Sequence, residues 1–118
     1  MAQTLENTAT GTAAGLLDGR RFAGVILEKG QTSGDADTLV FADGRFSSTA
    51  CEEYGYGGAP YTATREGDAI RFSCETRSSR YGSLEWNGQV RGDKLDATVI
   101  RRDEGKPPQE YWAVAGQD

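Results

Sequence analysis

Five tyrosines and one arginine come nearest, by type and spacing, to a site in this chain of 118 residues. Tyr54, Tyr56 and Tyr61 flank a glycine-rich segment, YGYGGAP, over residues 54–60, and Tyr81 and Tyr111 stand beside two further loop segments. A tyrosine offers flat apolar area with a polar tip, which suits a small ligand or a protein partner. Arg101 continues the parity of Leu95, Ala97 and Val99, so its guanidinium is directed inward and requires a counter-charge, either a carboxylate such as Glu28 or an acidic ligand. With Ser79 added from the loop before Tyr81, the expected contact set is Tyr54, Tyr56, Tyr61, Ser79, Tyr81, Arg101 and Tyr111. The alternative reading of the tyrosines is that they cap and shield the core. Replacing Tyr56 and Tyr81 with alanine separates the two, because a pure contact role predicts lost binding at an almost unchanged melting temperature.

Covalent chemistry finds little support. The chain contains no histidine, which removes Ser-His and Cys-His nucleophile pairs and imidazole-based zinc or haem sites. Glu52-Glu53 and Asp103-Glu104 are adjacent carboxylates, but neighbours in an extended strand point to opposite faces. No calcium-loop pattern is present. The expectation is a non-enzymatic protein with no metal and no cofactor. Cys51 and Cys74 allow one disulfide, worth about 3 kcal/mol in the chain-entropy picture. Geometry argues both ways, since strands with one strand between them lie about 9–10 Å apart and a disulfide spans no more than about 7 Å. The bond therefore requires Cys51 to sit past the end of its strand, and two small buried thiols are the alternative. Arg91-Gly92-Asp93 spells an integrin-binding tripeptide but falls in a hairpin turn.

The elements that must position these residues are strands. Ile70, Phe72, Cys74 and Thr76 alternate with polar residues, as do Leu84, Trp86, Gly88 and Val90, and then Leu95, Ala97 and Val99. Alternation with a period of two places one face on a core and the other in water. Residues 21–29 contain the run FAGVILE, apolar on both parities, so its inward face is ambiguous. Further strands are expected over 38–42, 46–53, 61–65 and 109–115. Sixteen glycines, with many Thr, Arg and Tyr, favour strands and turns. Residues 1–15 lack periodicity and read as a disordered tail, leaving 16–118 as a single domain. Leu16-Leu17 is placed to plug one end of it.

Eight alternating runs joined in order by turns give an up-and-down antiparallel sheet, and eight strands close into a small barrel that leaves no edge. A two-sheet β-sandwich is the alternative. The tight turns at Asp43-Gly44, Gly67-Asp68 and Gly92-Asp93 are the second, fourth and sixth connections. Alternate connections of such a barrel lie at opposite ends, so one end is trimmed and the other is a mouth ringed by loops, where binding is expected.

The net charge of −5 and the lack of a basic run exclude nucleic acid and anionic membrane as favoured partners. No stretch reaches the roughly 20 apolar residues of a membrane span. A basic protein remains electrostatically acceptable. The first residues lack a secretory signal pattern, which leaves the location open between the cytoplasm and, if a leader has been removed, the periplasm.

Two resemblances follow. The segment Leu16-Leu17-Asp18-Gly19-Arg20-Arg21-Phe22 resembles the Leu-x-Gly-x-Trp lead-in of small bacterial lipocalin-like, or calycin-like, barrels, with Phe22 in place of Trp and one extra residue before it. Gly92-Asp93-Lys94-Leu95-Asp96-Ala97-Thr98 resembles a hairpin found in the same barrels. This likeness implies a barrel that binds a small apolar or amphipathic ligand at its open end. Ser78-Ser79-Arg80-Tyr81 and Trp86-Asn87-Gly88 are locally similar to segments of c-type lysozyme inhibitors of bacterial envelopes, although the glycine after serine and the inhibitory lysine are missing. That likeness implies a protein-binding module instead.

Overall fold

The computed structural model describes residues 15–117. The tail expected over residues 1–15 lies, Gly15 apart, outside the described residues. Eight strands follow in order: β1 (Arg21–Glu28), β2 (Asp35–Ala42), β3 (Arg45–Ser48), β4 (Ala59–Glu66), β5 (Ala69–Ser78), β6 (Gly82–Arg91), β7 (Lys94–Arg102) and β8 (Gln109–Gln117). A single helical turn, α1 (Thr49–Glu52), follows β3. Every strand pairs antiparallel with its neighbours in sequence, and β1 pairs with β8 to close the barrel. The sandwich alternative is excluded. No helix among the described residues is long and apolar enough to cross a membrane.

Each expected alternation lands on the barrel wall as the pattern requires. Phe72, Leu84, Trp86, Val90, Leu95, Ala97 and Val99 are buried, while their sequence neighbours Arg71, Asn87, Lys94, Asp96 and Thr98 face water. Pairing also settles the ambiguous first strand. Phe22 is fully buried, whereas Val25 is exposed beside its cross-strand partner Val114. The Asp43-Gly44 turn has φ values of 55° and 73°, the left-handed pair that a two-residue hairpin needs.

At two inward glycines the space that a side chain would need is taken up by neighbouring atoms. A Cβ at Gly24 would lie 2.0 Å from the Val114 carbonyl oxygen of β8, and one at Gly88 would lie 2.7 Å from both the Ala97 methyl and the Phe72 ring. These glycines let strands and rings approach closely and provide no space for a ligand. The lower barrel is filled by aromatic rings: Phe41 packs against Phe22, Phe46, Tyr61 and Phe72 with centroids 5.0–6.0 Å apart, and Phe46 packs on Trp86 at 4.7 Å.

The tight-turn end is sealed by the segment before β1. Leu17 is completely buried, in agreement with a plug. Its N–H donates to the Tyr61 hydroxyl at 3.0 Å, and that hydroxyl donates to Asp18 at 2.8 Å. Asp18 accepts the Gly44 N–H of the β2–β3 turn at 3.0 Å. Arg20 lies over the Phe22 ring and donates to the Gly92 carbonyl and the Gln117 side chain, so it ties the β6–β7 turn to the end of β8.

Burial, and the bond to Asp18, push the Tyr61 phenol up to about 12. The variant Tyr61→Phe is expected to lose about 1–3 kcal/mol, because it strands the buried Leu17 N–H and removes a donor to Asp18. Urea unfolding at neutral pH will show this as a lower midpoint with an unchanged slope. A midpoint equal to the parent's would mean that the plug contributes nothing to stability.

Candidate functional site

At the opposite end the barrel opens into a pocket of about 650 Å3. Its walls come from β1, the β1–β2 loop, α1 and the segment after it, β6, β7 and β8. The filled aromatic floor confines it to the mouth.

One side is shaped by a departure from the expected strand over residues 46–53. The chain leaves the sheet after Ser48, and only Arg45 and Phe46 pair with β4. Asp37 causes the turn. Its buried carboxylate accepts the Ser48 hydroxyl at 2.7 Å and the Ala50 N–H at 3.0 Å. Thr49 Oγ1 in turn accepts the Thr38 N–H. A carboxylate from the next strand thus caps α1, and α1 brings Ala50 and Cys51 to the pocket wall.

The opposite wall is built around Tyr81 and Arg101. The β5–β6 turn is braced by Ser78, whose hydroxyl donates to the Tyr54 carbonyl at 2.8 Å and accepts the N–H groups of Arg80 and Tyr81. Tyr56 is buried and donates its hydroxyl to the Tyr81 carbonyl at 2.8 Å. Arg101 sits 5.9 Å from the Tyr81 ring centroid and reaches the same carbonyl at 3.4 Å. Its ion pair is with Asp103, at 3.3 Å, where the sequence suggested Glu28. Burial disfavours the Arg101 charge, but hydrogen bonds to Tyr111 and Asp103 outweigh it and raise the guanidinium pKa.

Of the seven expected contact residues, Tyr54, Tyr56, Tyr81, Arg101 and Tyr111 line the pocket together. Tyr61 does not join them, since its hydroxyl is held at the sealed end by Leu17 and Asp18. The cause is strand stagger: β4 starts level with the beginning of β3, Ala59 opposite Phe46, so Tyr61, its next inward residue, falls level with the Asp43-Gly44 turn. Ser79 is exposed on the turn and is not among the lining residues; Ser78 does the bracing. A serine three residues before Tyr81 is a hydroxyl-braced turn signal that the sequence did offer. Tyr56 is only 5% exposed, so its alanine variant would leave a cavity costing about 3 kcal/mol or more, and an unchanged melting temperature is not expected for it. Glu28 and Asp35, which line the pocket from β1 and β2, are absent from the expected contact set.

Cys51 and Cys74 are free thiols. Strand β4 lies between the strand that carries Cys74 and the one that leads to Cys51, and α1 turns Cys51 toward the mouth. Burial raises Cys51 to about 11 and Cys74 to about 12. Among the described residues no group of three or more His, Cys, Asp or Glu side chains is arranged to hold a metal ion. No protein family, curated protein or solved structure matches the chain.

Asp37→Asn keeps the shape but replaces a charged acceptor with a neutral amide and forces the Ser48 hydroxyl to accept where it had donated, at a cost of about 1–3 kcal/mol. Faster hydrogen exchange at the Ala50 amide would locate the loss in α1, and unchanged exchange would dismiss the capping role. The thiols set a pH dependence. Both are protonated in folded and unfolded chains below pH 9, and at higher pH the unfolded chain ionises first. Stability therefore falls as pH rises from about 9 to about 12. The urea midpoint should be lower at alkaline pH than at pH 8, and the drop should shrink in Cys74→Ser; an equal drop in that variant would assign it to other groups.

Proposed function

We propose that this chain is a non-enzymatic, lipocalin-like binding protein that takes a small apolar or amphipathic ligand into the open end of its barrel. The observation that carries this reading is the pocket itself. At about 650 Å3 it lies within the range of roughly 300–1,000 Å3 typical of small-molecule sites. Four tyrosines stand among its lining residues with Ile26, Leu27, Ala50 and Leu84, so a ligand meets apolar surface studded with a few polar tips. The sealed opposite end supports the lipocalin-like part, with Phe22 buried beneath Arg20 and Leu17 as plug. A protein-binding role of the lysozyme-inhibitor kind has less support. The serine of the loop that suggested it, Ser78, is spent on internal hydrogen bonds.

A neutral, solvent-sensitive dye such as Nile red tests the reading. Saturable binding at one site per chain is expected. Ala50→Trp, which fills the pocket from α1, should weaken it at least about ten-fold. Tyr54→Ala should weaken it too, with a stability change within about 1 kcal/mol, because that ring is 47% exposed. Absence of saturable binding, together with inhibition of a basic lysozyme, would replace this reading with the protein-binding one.

A further inference from the structure

The charge of the pocket points to the class of ligand, on the reading that the pocket is a binding site. Arg101 is the one cation among the lining residues, and its guanidinium is already engaged by Asp103, the Tyr81 carbonyl and Tyr111. Asp103 is shared in turn with Lys106 at 3.5 Å. An anionic ligand would have to displace Asp103 to reach this arginine.

The carboxylates are differently placed. Glu28 continues the inward parity of Phe22 and Ile26 along β1, and Asp35 continues that of Asp37 and Leu39 along β2. Ile26 is the register partner of Asp35, so Glu28 and Asp35 are diagonal neighbours on one inner face, with backbones about 7–8 Å apart. Both line the pocket. Among the described residues neither takes part in an ion pair, the acidic partners being Glu66, Glu75, Asp68, Asp103, Glu85 and Glu110. Like charges turned toward the same space raise its negative potential, and a cation entering it relieves that. The tyrosine faces act in the same direction, since the ring quadrupole attracts positive charge. Asp35 also acts on Tyr54, whose phenol pKa is pushed up first by Glu53, outside the pocket lining, then by burial and then by Asp35. The chain's net charge of −5 steers cations inward from further away.

We propose that the pocket takes an organic monocation, an amine or quaternary ammonium joined to an apolar body. The ammonium lies between Glu28, Asp35 and the face of Tyr54, and the apolar body rests against Ile26, Ala50 and Leu84.

Three ligands with one tail and different heads test this: octyltrimethylammonium, octanol and octanoate, each competed against the neutral dye at low ionic strength. The cation is expected to displace the dye at a concentration about ten-fold below that of the alcohol, with the carboxylate weakest. Glu28→Gln combined with Asp35→Asn should erase the cation's advantage over octanol, the two ligands being compared within the same variant. Both residues are exposed, so the double variant keeps the core. Octanoate binding as well as the cation, or an advantage that survives in the double variant, overturns the monocation while the pocket reading stands on octanol. If none of the three displaces the dye, and the dye itself does not bind saturably, the pocket reading falls and this proposal with it.

Discussion

Pairing of β1 with β8 is the contact on which the rest of this structure depends. It joins residues from Phe22 opposite Gln117 to Glu28 opposite Tyr111 and turns an eight-stranded meander into a cylinder with no free edge. Close approach is a condition for it, since the backbone of β8 occupies the space that any side chain at residue 24 would need. Closure also sets the inner face of β1. Once Phe22 and Ile26 point inward, Val25 must point out, and Glu28 is carried to the rim of the mouth. The polar chemistry of the pocket is thus a consequence of how the first and last strands meet.

A closed eight-stranded barrel has room for packed side chains or for one small ligand. This chain divides the space along its axis. Below, Phe22, Phe41, Phe46, Phe72, Tyr61 and Trp86 interlock; above, the lining residues leave the walls apart. The two halves rest on polar contacts of different reach. Below, Tyr61, Asp18 and Leu17 bind the terminal segment to the β2–β3 turn. Above, Asp37 pulls the chain after Ser48 inward and Ser78 fastens the loop after β5. Rigidity at the floor and shaping by short polar contacts at the rim is the arrangement expected of a site carried on loops above a scaffold.

Much of the architecture was legible before any coordinates. Alternation along residues 69–102 marked three strands and their inner faces, and the spacing of the Asp-Gly and Gly-Asp turns separated a trimmed end from an open one. Residues whose placement depends on parity within a single strand, such as Trp86 and Arg101, lie inward as the alternation requires. What escaped depends on relations between strands. The helical turn after Ser48 is imposed by Asp37, which is eleven residues away from Ser48 in the chain. Tyr61 follows a mouth loop in the sequence, which points to the mouth, but the stagger of β4 against β3 lowers it to the sealed end. Glu28 and Asp35 could not be paired as site residues while β1 read as apolar on both parities.

On the proposed reading of the pocket as a binding site, the division between the two halves also bears on which part of a ligand would be distinguished. Aromatic packing closes the floor, so discrimination by tail length comes from a steric stop and is limited to about 1–3 kcal/mol per methylene. Charge acts at the rim instead. Among the described residues that line the pocket, the one basic side chain, Arg101, is paired with Asp103 at 3.3 Å, whereas two carboxylates on adjacent strands, Glu28 and Asp35, have no described partner. An uncompensated pair of this kind gains most from a counter-charge that arrives with its own apolar body, because the body excludes the water that would otherwise screen the carboxylates. Head-group charge, more than shape, is therefore where the proposed site has the chemical means to be selective.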